Sequence, residues 1–157
     1  MARNLIKVCC FAERPDIMLM WAHYASEHTG ICIERDWSKL NNDDIRRMWL
    51  YPVIYGSELD VTNQLFKKFT NPLIFNLVSL HKSEEWSYEK EWRLVYGNGF
   101  LKENTNLSLP PITKIIMGNR ISDDNRCKVE EFATNNKISL AIAKIDSAGR
   151  NLIIADL

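Results

Sequence analysis

Short apolar runs recur along the chain, and most of them have the length and the β-branched or aromatic content of strands. Pro52 interrupts one of these runs, so that run is predicted to be an edge strand or to carry a bulge. The predicted strands are residues 5–11, 31–34, 46–55, 89–96, 112–117, 138–145 and 152–154.

Longer runs with helical spacing lie between the predicted strands. Asp16 is predicted to cap a helix through Glu27 that is apolar almost all round, so we expect it to be buried on most sides. Two more helices are predicted over residues 61–69 and from Pro72 onwards, and a fourth begins at Ser122. The pattern as a whole predicts a single α+β domain over residues 1–157, with a mixed, mostly antiparallel sheet and flanking helices.

The net charge and the lengths of the apolar runs indicate whether nucleic acid or a membrane is an expected partner. The chain has 157 residues, with 20 basic and 20 acidic side chains, so no net field attracts it to nucleic acid or to a membrane. Nucleic acid is therefore an unlikely binding partner, although it stays open as the acceptor of a reaction. The start of the chain lacks the apolar segment of a signal peptide and no apolar run reaches membrane-spanning length, which predicts a cytoplasmic protein without membrane contact.

The four cysteines do not form a metal-binding pattern. Cys9, Cys10, Cys32 and Cys127 contain no C-x-x-C pair, and no histidine lies at metal-ligand spacing from a cysteine pair. We therefore expect no metal, and we expect these cysteines to be buried free thiols in a reducing compartment.

The most informative chemistry lies in two glutamates near residue 90. If Glu89 and Glu91 both belong to an extended segment, their carboxylates project from the same face, while Trp92, Leu94 and Tyr96 take the other face. Paired carboxylates suit chemistry at a sugar carbon on which positive charge develops. The alternative is a surface ion pair between Glu91 and Arg93 that catalyses nothing.

The histidines have an ordinary structural interpretation. His23 and Tyr24 lie on the predicted buried helix. His28 lies near the end of this helix, where a histidine commonly caps the helix C-terminus. His23 and His28 are five residues apart and do not share a helix face well enough to bind a metal together.

Two segments together resemble the bacterial family known as domain of unknown function 2971. The first segment is MLMWAHYA at residues 18–25 with HTGICI at residues 28–33, and the second consists of Lys82, Trp86, Tyr88, Glu89, Glu91, Trp92 and Arg93. CFAE at residues 10–13 and IIMG at residues 115–118 are also similar to the family's pattern.

The second segment is, by weaker analogy, similar to the ADP-ribosyltransferase motif in which E-x-E opens a strand. That resemblance implies an ADP-ribosyltransferase-like fold with NAD as substrate. Glu91 would stabilise the oxocarbenium ion as the catalytic carboxylate, and Glu89 would orient the attacking nucleophile. The residues expected at the NAD site are His23, Tyr24, His28, Arg93 and Trp86.

The chain departs from the family's usual pattern at its start, where members carry an upstream segment that this sequence lacks. In an ADP-ribosyltransferase that part would supply the first strand and a nicotinamide-binding residue. We therefore expect a homodimer or a partner chain to complete the sheet.

Three functions remain open from the sequence. The first is an ADP-ribosyltransferase-like protein of a bacterial toxin or phage-defence type. The second is a non-catalytic ligand- or protein-binding module. The third is hydrolysis of a glycosidic or nucleosidic bond by the same two carboxylates, for which their separation is decisive.

Overall fold

A computed structural model describes residues 6–41, 49–56, 78–97 and 109–157. The chain forms two compact units, each built from two separate stretches of sequence. Unit 1 consists of Met1–Glu13 with Leu40–Ser108, and unit 2 consists of Arg14–Lys39 with Leu109–Leu157.

Unit 1 contains a three-stranded antiparallel sheet and a small two-stranded parallel sheet. In the first sheet β6 (Glu91–Gly97) is the central strand, between β1 (Ile6–Ala12) and β3 (Leu50–Pro52). In the second, β4 (Ile54–Tyr55) pairs with β5 (His81–Lys82), which places Tyr55 beside Lys82. A 3₁₀ helix (Glu84–Glu89) leads into β6.

Unit 2 is a four-stranded mixed sheet with helices. The sheet order is β2 (Ile31–Arg35), β7 (Ile112–Met117), β8 (Ser139–Ile145) and β9 (Leu152–Asp156), and its helices are α1 (Met18–Tyr24) and α2 (Asp123–Asn136). The β7–β8 pair is parallel, with α2 between the two strands in sequence, and the other pairs are antiparallel. The unit therefore contains one β-α-β crossover in an otherwise antiparallel sheet.

The core of unit 2 forms where one face of this sheet meets α1. Trp21 of α1 packs with Ile116 of β7, with Ala141 and Ala143 of β8, and with Leu152 of β9. Alternate residues of a strand share a face, which is why the spacing of these positions along β8 predicts their burial.

The fold class predicted from the sequence is confirmed. The chain is α+β, and antiparallel pairs predominate among the described strands. Pro52 lies on an edge strand, as its missing N–H group requires, and Ser122 caps α2 by accepting a hydrogen bond from the Asn125 N–H group at 3.4 Å. The prediction of a single domain stays a prediction.

The first helix differs from its prediction in its cap, length and burial. Asp16 binds the Arg14 guanidinium at 2.6 and 2.9 Å, and Ile17 occupies the N-cap position without a side-chain hydrogen bond. The helix ends at Tyr24 because the backbone of residues 26–28 turns left-handed. Only Trp21 is buried within the helix, so the prediction of burial on most sides is wrong.

Other sequence predictions fail or lie outside the described residues. The apolar run of residues 5–11 predicts a buried strand, but most of the described side chains of β1, which lies at the edge of its sheet, are exposed. The helices predicted over residues 61–69 and from Pro72 lie mainly outside the described part of the chain.

Candidate functional site

The two glutamates are brought together by a turn instead of by a shared strand face. Glu89 is the last residue of the 3₁₀ helix, Lys90 has the left-handed backbone values φ 48° and ψ 49°, and Glu91 is the first residue of β6. The prediction that both glutamates lie in one extended segment is therefore wrong. The reversal at Lys90 nevertheless directs both carboxylates to one side chain, that of Lys82.

Lys82 joins the two carboxylates. Its Nζ donates hydrogen bonds to Oε2 of Glu89 and, at 3.1 Å, to Oε2 of Glu91. Glu89 and Glu91 are 1% and 5% exposed, so neither is a solvated surface carboxylate. Burial alone would lower the pKa of Lys82, but its hydrogen bonds to the two carboxylates raise that pKa above its ordinary value.

Arg93 fixes the orientation of Glu91. Its Nε and Nη2 donate to the two carboxylate oxygens of Glu91 at 2.8 and 3.0 Å, and its Nη1 donates to the backbone oxygen of Ser79. Such a two-point contact holds the plane of a carboxylate as well as its position. We call Lys82, Glu89, Glu91 and Arg93 the charge group, in which two positive and two negative charges cancel.

Glu91 is ionised throughout the physiological range. Burial by itself would raise the pKa of this carboxyl, but hydrogen bonds from Arg93, Cys10 and Lys82 lower it to about 2. Cys10 and Arg93 face each other in the β1–β6 register, which brings the thiol to Glu91. Cys10 as a whole residue is exposed, but partial burial of its sulfur and the hydrogen bond to Glu91 raise the pKa of its thiol to about 11, so this thiol is a poor nucleophile at neutral pH.

Aromatic side chains lie beside the charge group. The ammonium group of Lys82 lies 4.9 Å from the centre of the Trp86 ring, within cation–π range, and the ring of Tyr88 follows at 6.1 Å from Trp86. Tyr55 contributes from β4, where its hydroxyl oxygen accepts a hydrogen bond from the backbone N–H group of Glu91 at 2.8 Å.

The residues predicted for the site divide between the two units. Glu89, Glu91, Arg93 and Trp86 come together in unit 1. The other three predicted residues, His23, Tyr24 and His28, belong to unit 2, and their role in binding NAD stays a prediction.

Within unit 2 the three residues lie at the end of α1. His23 and Tyr24 are in edge-to-face contact at 6.2 Å, and His28 stacks on Trp21 at 6.3 Å. The His28 Nδ1 atom is buried without a hydrogen-bond partner in the described part of the chain. The end of α1 is capped by the backbone N–H group of His28 and not by its side chain. This N–H group donates a hydrogen bond to the Trp21 backbone oxygen at 3.3 Å.

The cysteines are free but are not buried as predicted. Cys9, Cys10 and Cys127 are exposed and Cys32 is intermediate; the first two lie on the edge strand β1 and the third lies on α2. Residues 6–41, 49–56, 78–97 and 109–157 contain no group of three metal-ligating side chains. Within those same ranges, no helix has the length and apolar character needed to span a membrane.

Sequence reasoning did not assign a role to three residues that hold Glu91. Lys82 belongs to the family-like segment, and a lysine close in sequence to two glutamates is a signal for an ion pair. Tyr55 and Cys10 carry no comparable signal, because only the pairing of β4 with β5 and of β1 with β6 brings them to Glu91.

Comparison with known proteins supports the family and nothing finer. Residues 20–94 match the model of a family described as Protein of unknown function (DUF2971). No curated protein and no solved structure matches the chain. The matched region begins just before Trp21 and ends at Leu94, so it includes the end of α1 and the whole charge group. Over residues 20–94, just under half of the chain, the sequence is therefore similar to the family described as Protein of unknown function (DUF2971).

Proposed function

We propose that this family region is an ADP-ribosyltransferase-like module that uses NAD as a substrate, in a bacterial toxin or phage-defence setting. The setting comes from the resemblance alone. The observation that carries the chemistry is the state of Glu91, which is buried, ionised and held at two points by Arg93.

A fixed, dehydrated carboxylate suits the step in which nicotinamide leaves. The bond between the ribose carbon and the nicotinamide nitrogen breaks, and its electron pair leaves with nicotinamide. Positive charge then develops on the ribose, where Glu91 stabilises it without reorganising. An acceptor nucleophile, oriented by Glu89, forms the new bond at that carbon and releases its proton to solvent.

The remaining residues have supporting roles in this proposal. Arg93 is a positioning residue for Glu91, since its Nε and Nη2 already contact that carboxylate. Trp86 and Tyr88 offer aromatic surface beside the charge group, on which a flat ring such as nicotinamide can stack.

The test is release of nicotinamide from NAD by the purified chain and by its Glu91→Gln variant. Loss of a preorganised group of this kind costs about 10²–10³ in rate, so we expect a decrease of that order. Glu84→Gln is the matched control, because Glu84 is an exposed carboxylate of the adjacent 3₁₀ helix and should leave the rate unchanged. Equal rates for the parent chain and a folded Glu91→Gln variant would rule out the proposed role of Glu91.

The second candidate is a non-catalytic ligand- or protein-binding module. It is favoured by the pairing within the charge group, in which Glu91 already receives hydrogen bonds from Arg93 and Lys82 and the net charge is zero. A thermal-shift titration separates the candidates when it is read together with nicotinamide release. NAD at 100 times its dissociation constant adds about 2.7 kcal/mol of apparent stability, and stabilisation without release would favour the binding module.

A further inference from the structure

Lys82 occupies the part of the charge group in which a positive charge is best stabilised. Its ammonium group is in contact with both carboxylates and with the face of Trp86. Two carboxylates and the negative face of an indole ring are all complementary to positive charge. In the proposed reaction, this is the place at which a positive charge has to be stabilised.

We propose that Lys82 is an autoinhibitory cap on the carboxylate pair, which a cationic group of the substrate must displace before Glu91 can act. The inference rests on the proposed function for the identity of that substrate. The cap itself is a property of the charge group, which can be tested without NAD.

The charges of the group favour replacement of the Lys82 ammonium group by another cation over its departure without replacement. Without the ammonium group, two carboxylates and one guanidinium leave the group with a net charge of −1. A buried charge that is not compensated is costly, so the group favours whichever cation replaces Lys82. Neutrality is restored when an incoming cation takes the same place.

The contacts also show which part of the group can move. Glu91 keeps its two-point contact with Arg93 when Lys82 leaves, so the catalytic carboxylate stays oriented. Lys82 lies at the end of the two-residue strand β5, and its side chain is 18% exposed, compared with 2% for that of Glu89. The Arg93 side chain is 17% exposed, but it is also held by its hydrogen bond to the Ser79 backbone oxygen, so Lys82 is the cation of the charge group that is free to move towards solvent.

The first experiment removes the cap and supplies a cation from solution. In Lys82→Ala, the missing atoms correspond to those of propylammonium, so propylammonium chloride should raise the melting temperature more than sodium chloride does at equal ionic strength. At ten times its dissociation constant, the expected rise is about 3–6 °C. The neutral analogue 1-propanol should not reproduce the effect.

Folding of the variant does not limit this test. If Lys82→Ala is unfolded in sodium chloride, recovery of secondary structure with propylammonium takes the place of the shift in melting temperature. If neither readout responds specifically to the ammonium ion, the carboxylate pair does not accept an external cation and the proposal is wrong.

The second experiment asks whether the cap moves in the unaltered chain. Acylation of Lys82 by an amine-reactive reagent is followed by peptide mass spectrometry, with exposed Lys128 as the internal reference. Methylguanidinium at a non-denaturing concentration should increase the rate at Lys82 relative to Lys128 by roughly tenfold, which corresponds to about 1.4 kcal/mol in the capping equilibrium. An unchanged ratio of the two rates would show that Lys82 is a fixed structural cation.

Neither experiment contains NAD. Failure of Glu91→Gln to alter nicotinamide release would therefore count against the proposed function and leave the cap standing. If the cation neither replaces nor releases Lys82, the proposed cap is ruled out. The proposed chemistry at Glu91 would still be tested by the release of nicotinamide.

Discussion

At the scale of single residues, Glu91 combines two properties that usually oppose each other. Its side chain is 5% exposed, which by itself favours the neutral acid, yet its pKa lies at about 2 because three side chains donate hydrogen bonds to it. The carboxylate is thus charged because of its partners, and its ionisation is coupled to the stability of unit 1.

This coupling predicts a loss of stability in acid. The pKa of Glu91 is lower in the folded chain than its ordinary value of 4.5, so its contribution is complete above that value and is lost as the pH falls towards about 2. The contribution is up to about 3 kcal/mol. Urea unfolding between pH 5 and pH 2 measures it as the part of the decline that is absent in Glu91→Gln.

The comparison has an internal control. Glu91→Gln lowers stability at all pH values, since it leaves the cations Lys82 and Arg93 incompletely compensated, but its curve should be flatter in this window. Glu84→Gln should follow the parent chain throughout. Parallel curves for the parent chain and Glu91→Gln would contradict the assigned pKa.

At the scale of the elements, the end of α1 is held against the segment after β7 by close backbone contact. Ser26, Glu27 and His28 all have positive φ values, which L-amino acids adopt at a cost. The His28 backbone oxygen accepts a hydrogen bond from the Arg120 N–H group at 3.1 Å, and the Gly30 oxygen accepts one from the Gly118 N–H group at 2.9 Å. These bonds help to offset the strain of the left-handed turn.

Gly118 should therefore tolerate no side chain. A Cβ atom at this position would lie 2.1 Å from the His28 backbone oxygen, and backbone cannot rotate away as a side chain can. We expect Gly118→Ala to lower the free energy of unfolding by about 3 kcal/mol or more, measured in urea.

Gly149→Ala is the matched control for Gly118→Ala. Gly149 has φ +70° but open space around its Cβ position, so only backbone strain of about 1–2 kcal/mol is expected there. Equal losses for the two variants would show that the close approach at Gly118 is not what requires glycine.

At the scale of the whole molecule, neither compact unit is a continuous piece of chain. The sequence passes between them at residues 13–14, 39–40 and 108–109, so neither unit can be released by one cut. The prediction from the sequence is one domain, and a domain of this size normally unfolds in a single transition.

Hydrogen exchange in increasing urea tests this prediction. Amides of β6 in unit 1 and of β7 in unit 2 should open with the same free energy, and Gly118→Ala should lower both values equally. If the variant destabilised β7 and left β6 unchanged, the two units would be separate folding domains.

The local features of the fold were predictable where one stretch of sequence decides them. The strands β7, β8 and β9 and the Ser122 cap of α2 follow from apolar runs and capping chemistry that act over a few residues. The prediction for α1 failed because Asp16 bonds to Arg14 instead of to the helix and because the left-handed turn ends the helix early.

Four of the residues expected at the site, Glu89, Glu91, Arg93 and Trp86, lie together in unit 1, but the geometry predicted for the two glutamates is wrong. The E-x-E pattern at residues 89–91 identifies the two carboxylates, since residue type alone specifies a carboxylate group. Side chains alternate between the two faces of an extended backbone, which predicts that Glu89 and Glu91 lie on the same face of a strand. The left-handed conformation of Lys90 interrupts this alternation.

The sequence by itself determined the α+β class, the family similarity of residues 20–94 and the presence of two glutamates two residues apart, because each depends on residue type and short-range spacing. Only the tertiary structure decided that Glu91 is buried and ionised and that Lys82 bridges the pair. Those facts depend on β1, β4, β5 and β6 meeting within unit 1, and contacts between strands distant in sequence leave no local pattern to read.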